Sequence, residues 1–188
     1  LYKTLRIKKI KKEIKDFNLF IQEIQSPYIE DRTAKHNLWA EFALCNLKEN
    51  KVIIYYQWEL IPFIDWLITS SSKWSEELDN DICNGYSCIA QAISEAYINI
   101  DPNDEGEELK EEEEKKIDYL CEYRMNHSFA VGFRGTDFPN ILIGNHKGQG
   151  QISYYDKNGS NWYYTIDIID FVKNVCDKLI YLIKDKAE

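Results

Sequence analysis

The sequence predicts an α+β domain built mainly on antiparallel sheet. Its strand-like segments fall into two blocks, residues 17–60 and 127–168, separated by a helical block instead of the regular strand–helix alternation of parallel sheets. The chain also ends in a segment with clear helical periodicity, so we expect about four helices, the last of them packed on the sheet. A chain of 188 residues with 44% hydrophobic residues is long enough for a single packed domain, residues 1–188.

The first block predicts a basic start followed by an antiparallel hairpin. Residues 3–15 carry seven lysine or arginine side chains against one glutamate, and their apolar positions fit either a helix or a strand. FNLFIQEI then alternates like a strand, and two further alternating runs, LWAEFALCNL and KVIIYYQWEL, flank a short polar turn. Pro62 fits the first turn of a following helix, PFIDWLITS.

Helices are predicted for the middle of the chain. The polar run SSSKWSEELDND predicts a connection, and YSCIAQAISEAYINI a helix. Residues 101–116 hold nine acids and three lysines, and their second half continues into a helix supported by glutamate–lysine pairs four residues apart. We interpret residues 100–116 as an acidic loop-and-helix insertion. The alternative architecture is two lobes that divide near residue 105.

The last block predicts short strands and tight turns. HSFAVGF, NILIG, QGQISYYD and WYYTIDI are predicted strands. Asn158-Gly159 is a hairpin-turn signal because both residues readily take positive φ. Asp167 is the predicted N-cap of the final helix, in which apolar residues recur near a spacing of about 3.6.

The charge and the cysteines narrow the class of protein. A net charge of −9 makes the chain a poor binder of nucleic acid, and it fits either a solubilising surface or a surface that binds a basic protein partner. Five cysteines without a C-x-x-C pair or a neighbouring histidine predict free thiols in a reducing cytosol. No apolar run approaches the roughly 18–20 residues of a membrane span. We therefore expect a cytoplasmic protein without a metal or cofactor, whose partner is neither membrane nor nucleic acid.

The glycine-rich stretch GNHKGQGQISYY, residues 144–155, has the composition of a site. A phosphate-binding loop requires a helix after its glycines, so that backbone N–H groups face the phosphate. Here a strand-like segment follows the glycines. The sequence therefore predicts a turn, with His146 and Lys147 exposed and available to a partner.

One set of side chains offers catalytic chemistry as an alternative. His127, Arg134, Asp137 and His146 are residue types found in phosphodiester-cleaving and acyl-transfer sites. Nothing in their spacing forces them together, and Arg134 and Asp137 can pair across their own turn. We therefore assign no catalytic residue and keep a small enzyme or effector as an alternative function.

Aromatic residues supply candidate contacts for a partner. The chain has 13 tyrosines and 5 tryptophans, and adjacent aromatic residues on a strand face opposite sides of the sheet. Two interpretations follow: either at least one of these rings lies outside the core, where it can anchor a partner protein, or a helix covers the second face of the sheet. The predicted partner-binding residues combine acidic, aromatic and turn positions: Glu107, Glu108, Glu111, Glu112, Tyr154, Tyr155, Trp162, Tyr164, His146 and Lys147.

The C-terminal portion resembles a known class of proteins. The run HSFAVGFRGTDFPNILIGNHKGQGQISYY, followed by WYYTIDIIDFVKNV, resembles small acidic α+β proteins of bacterial conflict systems, especially the immunity proteins of polymorphic toxins. The resemblance includes no diagnostic motif and carries no functional residue over. It implies a non-enzymatic cytosolic protein that binds and blocks another protein, such as a nuclease-type toxin. An accessory subunit of a bacterial defence complex is the alternative.

Overall fold

The structure is a computed structural model that describes residues 17–27, 38–100, 110–159 and 161–184. Strands and helices alternate in blocks along the chain, as the sequence predicts. In chain order the elements are β1 (Phe17–Ile24), β2 (Trp39–Asn46), β3 (Lys51–Glu59), α1 (Leu60–Ser70), a 3-10 turn (Ser71–Lys73), α2 (Asn80–Cys83), α3 (Ile89–Ile100), α4 (Glu111–His127), α5 (Phe129–Gly132), β4 (Leu142–His146), β5 (Gln149–Tyr154), β6 (Trp162–Thr165) and α6 (Ile168–Lys184).

The strands form two three-stranded antiparallel sheets, ordered β1-β2-β3 and β4-β5-β6. This arrangement confirms the predicted α+β class with antiparallel pairing. The described residues contain six α-helices, more than the four or so that were predicted. The difference comes from α2 and α5, which are single turns of four residues each and are too short to show helical periodicity.

Two hydrophobic cores pack against the second sheet. The larger contains Phe42, Phe63 and Phe133, with ring centroids 4.8–5.5 Å apart, together with side chains of both sheets and of α6. The smaller joins α3 and α4 to Leu142 on β4. Successive residues of β4 therefore face different cores: Leu142 faces the smaller and Ile143 the larger, and neither has exposed surface.

Most of the periodic segments fold as predicted. The β2–β3 hairpin, α1, α3 and α4 lie where the sequence places them, and Asp167 caps α6 by accepting a hydrogen bond from the Asp170 N–H at 3.0 Å. The predicted basic segment 3–15 and the predicted acidic loop 101–109 lie outside the described residues. All five cysteines are free thiols. Among the described helices, none combines the length and apolar character needed to cross a membrane.

The predicted strand HSFAVGF is wrong. His127 ends α4, and residues 129–132 form α5. Phe129 and Phe133 both enter the larger core, and a spacing of four residues brings them to the same side of a helical turn. Gly132 allows this turn to lie against α1, because a Cβ there would sit 3.1 Å from the rings of Phe63 and Trp66.

The predicted turn at Asn158-Gly159 forms, but not as a two-residue hairpin turn. β5 ends at Tyr154 and β6 begins only at Trp162, and neither Asn158 nor Gly159 has a positive φ. The Gly159 N–H donates to the Asp156 carbonyl oxygen at 3.2 Å and closes a turn there. A side-chain oxygen of Asp156 also accepts the Asn158 N–H at 2.9 Å. The two-residue turn joins β4 to β5, where Lys147 and Gly148 have φ values of 53° and 78°. The glycine-rich stretch is thus a turn between strands, as its sequence predicts.

Candidate functional site

Exposed carboxylates lie on residues 71–86 and on the outer side of α4. We call residues 71–86, which follow α1 and include α2, the connection. Tyr119 of α4 lies where these segments meet, because its hydroxyl accepts a hydrogen bond from the Asp79 N–H at 3.0 Å. The Tyr119 side chain is 37% exposed. We call this region the acidic surface and define it by Tyr119 and eight exposed carboxylate residues: Glu76, Asp79, Asp81, Glu111, Glu112, Glu114, Asp118 and Glu122.

The local sequence explains why α4 presents this charge. Its first turn consists of four glutamates, which interact favourably with the positive end of the helix dipole. Glu113 also accepts a hydrogen bond from the Lys110 N–H at 2.8 Å, which fixes the start of the helix. Leu120, Tyr123 and His127 supply the buried face of α4. The acidic side therefore remains in solvent.

The connection that carries Glu76 and Asp79 is held firmly against α4. The Trp74 indole Nε1 donates to the Asn126 carbonyl oxygen at 2.9 Å, and the ring has 0% exposure. The His127 Nε2 lies 3.0 Å from the Lys73 carbonyl oxygen. These contacts hold the connection on α4, where Asp79 and Glu76 lie near Tyr119.

Lysines offset only part of the acidic charge. Lys73 pairs with Glu122 at 3.1 Å and Lys115 pairs with Glu111 at 2.6 Å. Both pairs are exposed, and exposed ion pairs contribute little to stability. Burial raises the pKa of Tyr119, with the carboxylates of Asp79 and Glu76 acting in the same direction. The phenol therefore stays neutral, and the surface presents an aromatic ring among carboxylates.

The acidic and aromatic residues predicted to bind a partner have different environments. Glu111 and Glu112 are exposed on the acidic surface, whereas Glu107 and Glu108 lie outside the described residues. Tyr154, Trp162 and Tyr164 form a row of rings with centroids 5.9 and 5.6 Å apart, and this row is half-buried against the larger core.

Two further tyrosines differ in their contacts. Tyr155 is also half-buried, and its hydroxyl donates to Glu95. Tyr163, which the sequence did not single out, is the most exposed ring of β6, at 50%. It lies on the opposite face of the strand from Trp162 and Tyr164. Alternation along the strand could have predicted this exposure: once Trp162 and Tyr164 are assigned to the core face, Tyr163 must point the other way.

The prediction that His146 is an exposed turn residue is wrong, because its side chain is only 5% exposed. Its Nε2 lies 3.2 Å from the Tyr86 carbonyl oxygen and its Nδ1 lies 3.4 Å from the Cys83 Sγ. The turn packs on the connection, where the Gly148 N–H donates to Glu77 at 2.9 Å. Lys147 is exposed, as predicted, and its Nζ donates to the same Tyr86 carbonyl at 3.2 Å.

The structure does not bring the four catalytic candidates together. His127 is buried and stacks on Tyr123, with ring centroids 3.7 Å apart. It contacts the connection at Lys73, whereas His146 contacts the connection at Tyr86. Arg134 is exposed, and Asp137 accepts a hydrogen bond from the Tyr56 hydroxyl of the first sheet at 2.6 Å. Each of the four candidate residues therefore has its own surroundings, and they do not line a common cleft.

Cys83 and His146 form a thiol–imidazole pair that the sequence did not indicate. Cys83 is 2% exposed, and burial raises the pKa of its thiol, so the sulfur keeps its proton. A neutral imidazole that donates from Nε2 to the Tyr86 carbonyl leaves Nδ1 as a hydrogen-bond acceptor facing the Cys83 thiol, whose Sγ also lies 3.5 Å from the Leu78 carbonyl oxygen. This pair ties β4 to the connection.

The two buried histidines predict a pH-dependent stability. Burial is the largest influence and lowers the pKa of His127 and of His146 below the ordinary value of 6.5, although backbone carbonyl oxygens partly oppose it. The unfolded chain therefore binds these protons more readily. The free energy of unfolding should be at its full value above pH 6.5 and should fall as the pH drops below it.

Urea unfolding between pH 7.5 and 5.5 checks this expectation, and a double variant, His127→Gln with His146→Gln, should show a smaller dependence on pH. A wild-type stability that is constant or rises towards pH 5.5 would contradict the argument.

Neither a metal-binding cluster among the described residues nor a known relative assigns a function to this chain. Within the described part of the chain, no three His, Cys, Asp or Glu side chains are arranged to hold a metal ion. Comparison of the chain with protein-family models, with curated proteins and with solved structures gave no match.

Proposed function

We propose that this chain is a non-enzymatic binding protein of the inhibitor or immunity type, which uses its acidic surface to bind a basic protein such as a nuclease-type toxin. The observation that carries the proposal is the position of Tyr119, which is exposed on the acidic helix α4, is bonded to the Asp79 N–H, and lies close enough to the Asp79 and Glu76 carboxylates to feel their charge. The resemblance of the C-terminal portion to immunity proteins of bacterial conflict systems agrees with it.

Each component of the acidic surface has a distinct physical role in such binding. The clustered negative charges of the carboxylates steer a basic partner and raise its association rate, and salt screens this effect. Tyr119 supplies a ring with a polar tip, the kind of side chain that commonly dominates binding energy. Because the connection is held by Trp74 and His127, little ordering of the backbone opposes binding.

Charge neutralisation tests the proposal with a matched control. The test variant replaces Glu76 by Gln, Glu112 by Gln and Asp118 by Asn, none of which serves as a helix cap. The control variant replaces the exposed carboxylates Glu49, Asp65 and Asp177, which lie outside the acidic surface, in the same way. Both variants change the net charge equally.

With a partner captured by the tagged wild-type chain in its native host, the test variant should associate about tenfold more slowly at low ionic strength. The control variant should associate at nearly the wild-type rate. The wild-type rate should fall steeply as salt is raised. A rate that is independent of salt, or an equal loss in both variants, would contradict the role of the acidic surface. A chain that is insoluble without its co-purifying proteins would indicate an accessory subunit instead of a free inhibitor.

A further inference from the structure

Lys178 is a half-buried lysine of α6 that lies against the first sheet, where α6 packs on β1. Its Nζ donates to the Asn18 Oδ1 and, at 2.7 Å, to the Leu19 carbonyl oxygen. The same nitrogen lies 5.0 Å from the centre of the Phe20 ring. Three consecutive residues of β1 therefore contact one amine nitrogen and hold it in a defined position.

The two oxygen acceptors around Lys178 match a neutral amine. A neutral amine has two N–H groups and one lone pair, whereas an ammonium group has three N–H groups and no lone pair. The oxygens of Asn18 and Leu19 take up two N–H groups. The neutral form can therefore keep both hydrogen bonds and still have a lone pair available for reaction.

The electrostatic surroundings also favour the neutral amine. Burial lowers the pKa of Lys178 to about 8, although the Cys45 thiol of β2 opposes this shift. Burial raises the pKa of Cys45, whose Sγ lies 3.7 Å from the Ala43 carbonyl oxygen, so the thiol keeps its proton near neutral pH. The amine is therefore the nucleophile of this pair, and desolvation is a common way to activate a lysine.

The lowered pKa makes the neutral amine abundant near neutral pH. With a pKa of about 8, roughly a quarter of the Lys178 side chains carry a free lone pair at pH 7.5. A lysine with the ordinary value of about 10.4 is neutral in only about one molecule in a thousand at that pH. Lys178 therefore combines a fixed position with a reactive protonation state.

We propose that Lys178 is a site of covalent acylation by a small activated acyl compound of the acyl phosphate class. The lone pair of Nζ attacks the carbonyl carbon, a C–N bond forms, and the C–O bond to the phosphate group breaks with its electron pair. Inorganic phosphate leaves, and the amine proton passes to water. The product amide has a single N–H, so one of the two oxygens of β1 loses its donor and α6 is held less firmly on β1.

Site-specific mass spectrometry tests the reactivity. The full chain is treated with acetyl phosphate at about pH 7.5, and the initial rate of acetylation is measured for each lysine. Lys178 should be acetylated at least about tenfold faster than Lys173 and Lys157, which are exposed. In guanidinium chloride that unfolds the chain this advantage should disappear, because it depends on burial. Equal rates in the folded chain, or an advantage that persists after unfolding, would overturn the proposal.

The dependence of the rate on pH gives a second readout. The rate at Lys178 should level off above about pH 8, where the amine is already largely neutral. For a fully hydrated lysine the rate continues to rise up to about pH 10. A Lys178 rate that is still rising steeply at pH 9–10 would contradict the activation of this amine.

Thermal unfolding tests the effect of the modification on α6. Lys178→Arg keeps a positive charge at this position and removes the reactive amine, so it serves as the control under the same treatment. Acetylation should lower the Tm of the wild-type chain by about 2–4 °C, the shift expected for one lost hydrogen bond in a chain of this size. The Tm of the Lys178→Arg variant should not change. An unchanged wild-type Tm, or an equal fall in both proteins, would overturn the loosening of α6.

Discussion

Replacing Trp74 by alanine is expected to lower the free energy of unfolding by about 3–5 kcal/mol. The ring has no exposed surface, and its centroid lies 5.2 Å from that of Trp66 and 6.0 Å from that of Phe129. Alanine removes these contacts, leaves a cavity and deprives the Asn126 carbonyl oxygen of its indole donor. Urea unfolding monitored by circular dichroism measures the loss.

A second substitution separates the packing from the hydrogen bond. Trp74→Phe keeps an aromatic ring and removes only the N–H group with part of the volume, so the expected loss is smaller, about 1–3 kcal/mol. Lys73→Ala, at the exposed neighbouring side chain, should cost less than about 1 kcal/mol. If Trp74→Ala costs no more than Lys73→Ala, then Trp74 does not anchor the connection.

The burial of Trp74 could not be predicted from the sequence, whereas the longer strands and helices could. Segments with sustained periodicity, such as β2, β3 and α6, could be predicted because every second or every third to fourth residue repeats the same environment. A single aromatic residue in SSSKWSEELDND has no such repetition. The segment was interpreted as a polar connection, and nothing local showed that its tryptophan belongs to the core.

The candidate site was predictable only in part. A run of glutamates at the start of a helix is visible in the sequence, and Glu111 and Glu112 are indeed exposed there. The hydrogen bond between Tyr119 and Asp79 joins residues that are 40 positions apart in the sequence, and it depends on how α4 packs on the connection. The prediction that His146 is exposed was wrong for the same reason, because Cys83 and Tyr86, which cover it, are about 60 residues away in the sequence.

Gly144 is the other position at which a small change should have a large effect. A Cβ placed there would lie 2.5 Å from the Tyr123 hydroxyl oxygen and 3.0 Å from the His127 Cδ2. Tyr123 is buried and stacked on His127, so its ring cannot move aside without disturbing the smaller core. We expect Gly144→Ala to lower the free energy of unfolding by about 1–3 kcal/mol.

Tyr123→Phe identifies the group that excludes a side chain at Gly144. The Tyr123 hydroxyl is buried without a hydrogen-bond partner among the described residues, so removing it alone should change stability by less than about 0.5 kcal/mol or increase it. In the double variant the hydroxyl is absent, and about 1 kcal/mol of the Gly144→Ala loss should be recovered. Unfolding of the four proteins in urea gives this coupling energy directly. Strictly additive losses would show that the hydroxyl is not the obstacle, and the His127 ring would then be what requires glycine on β4.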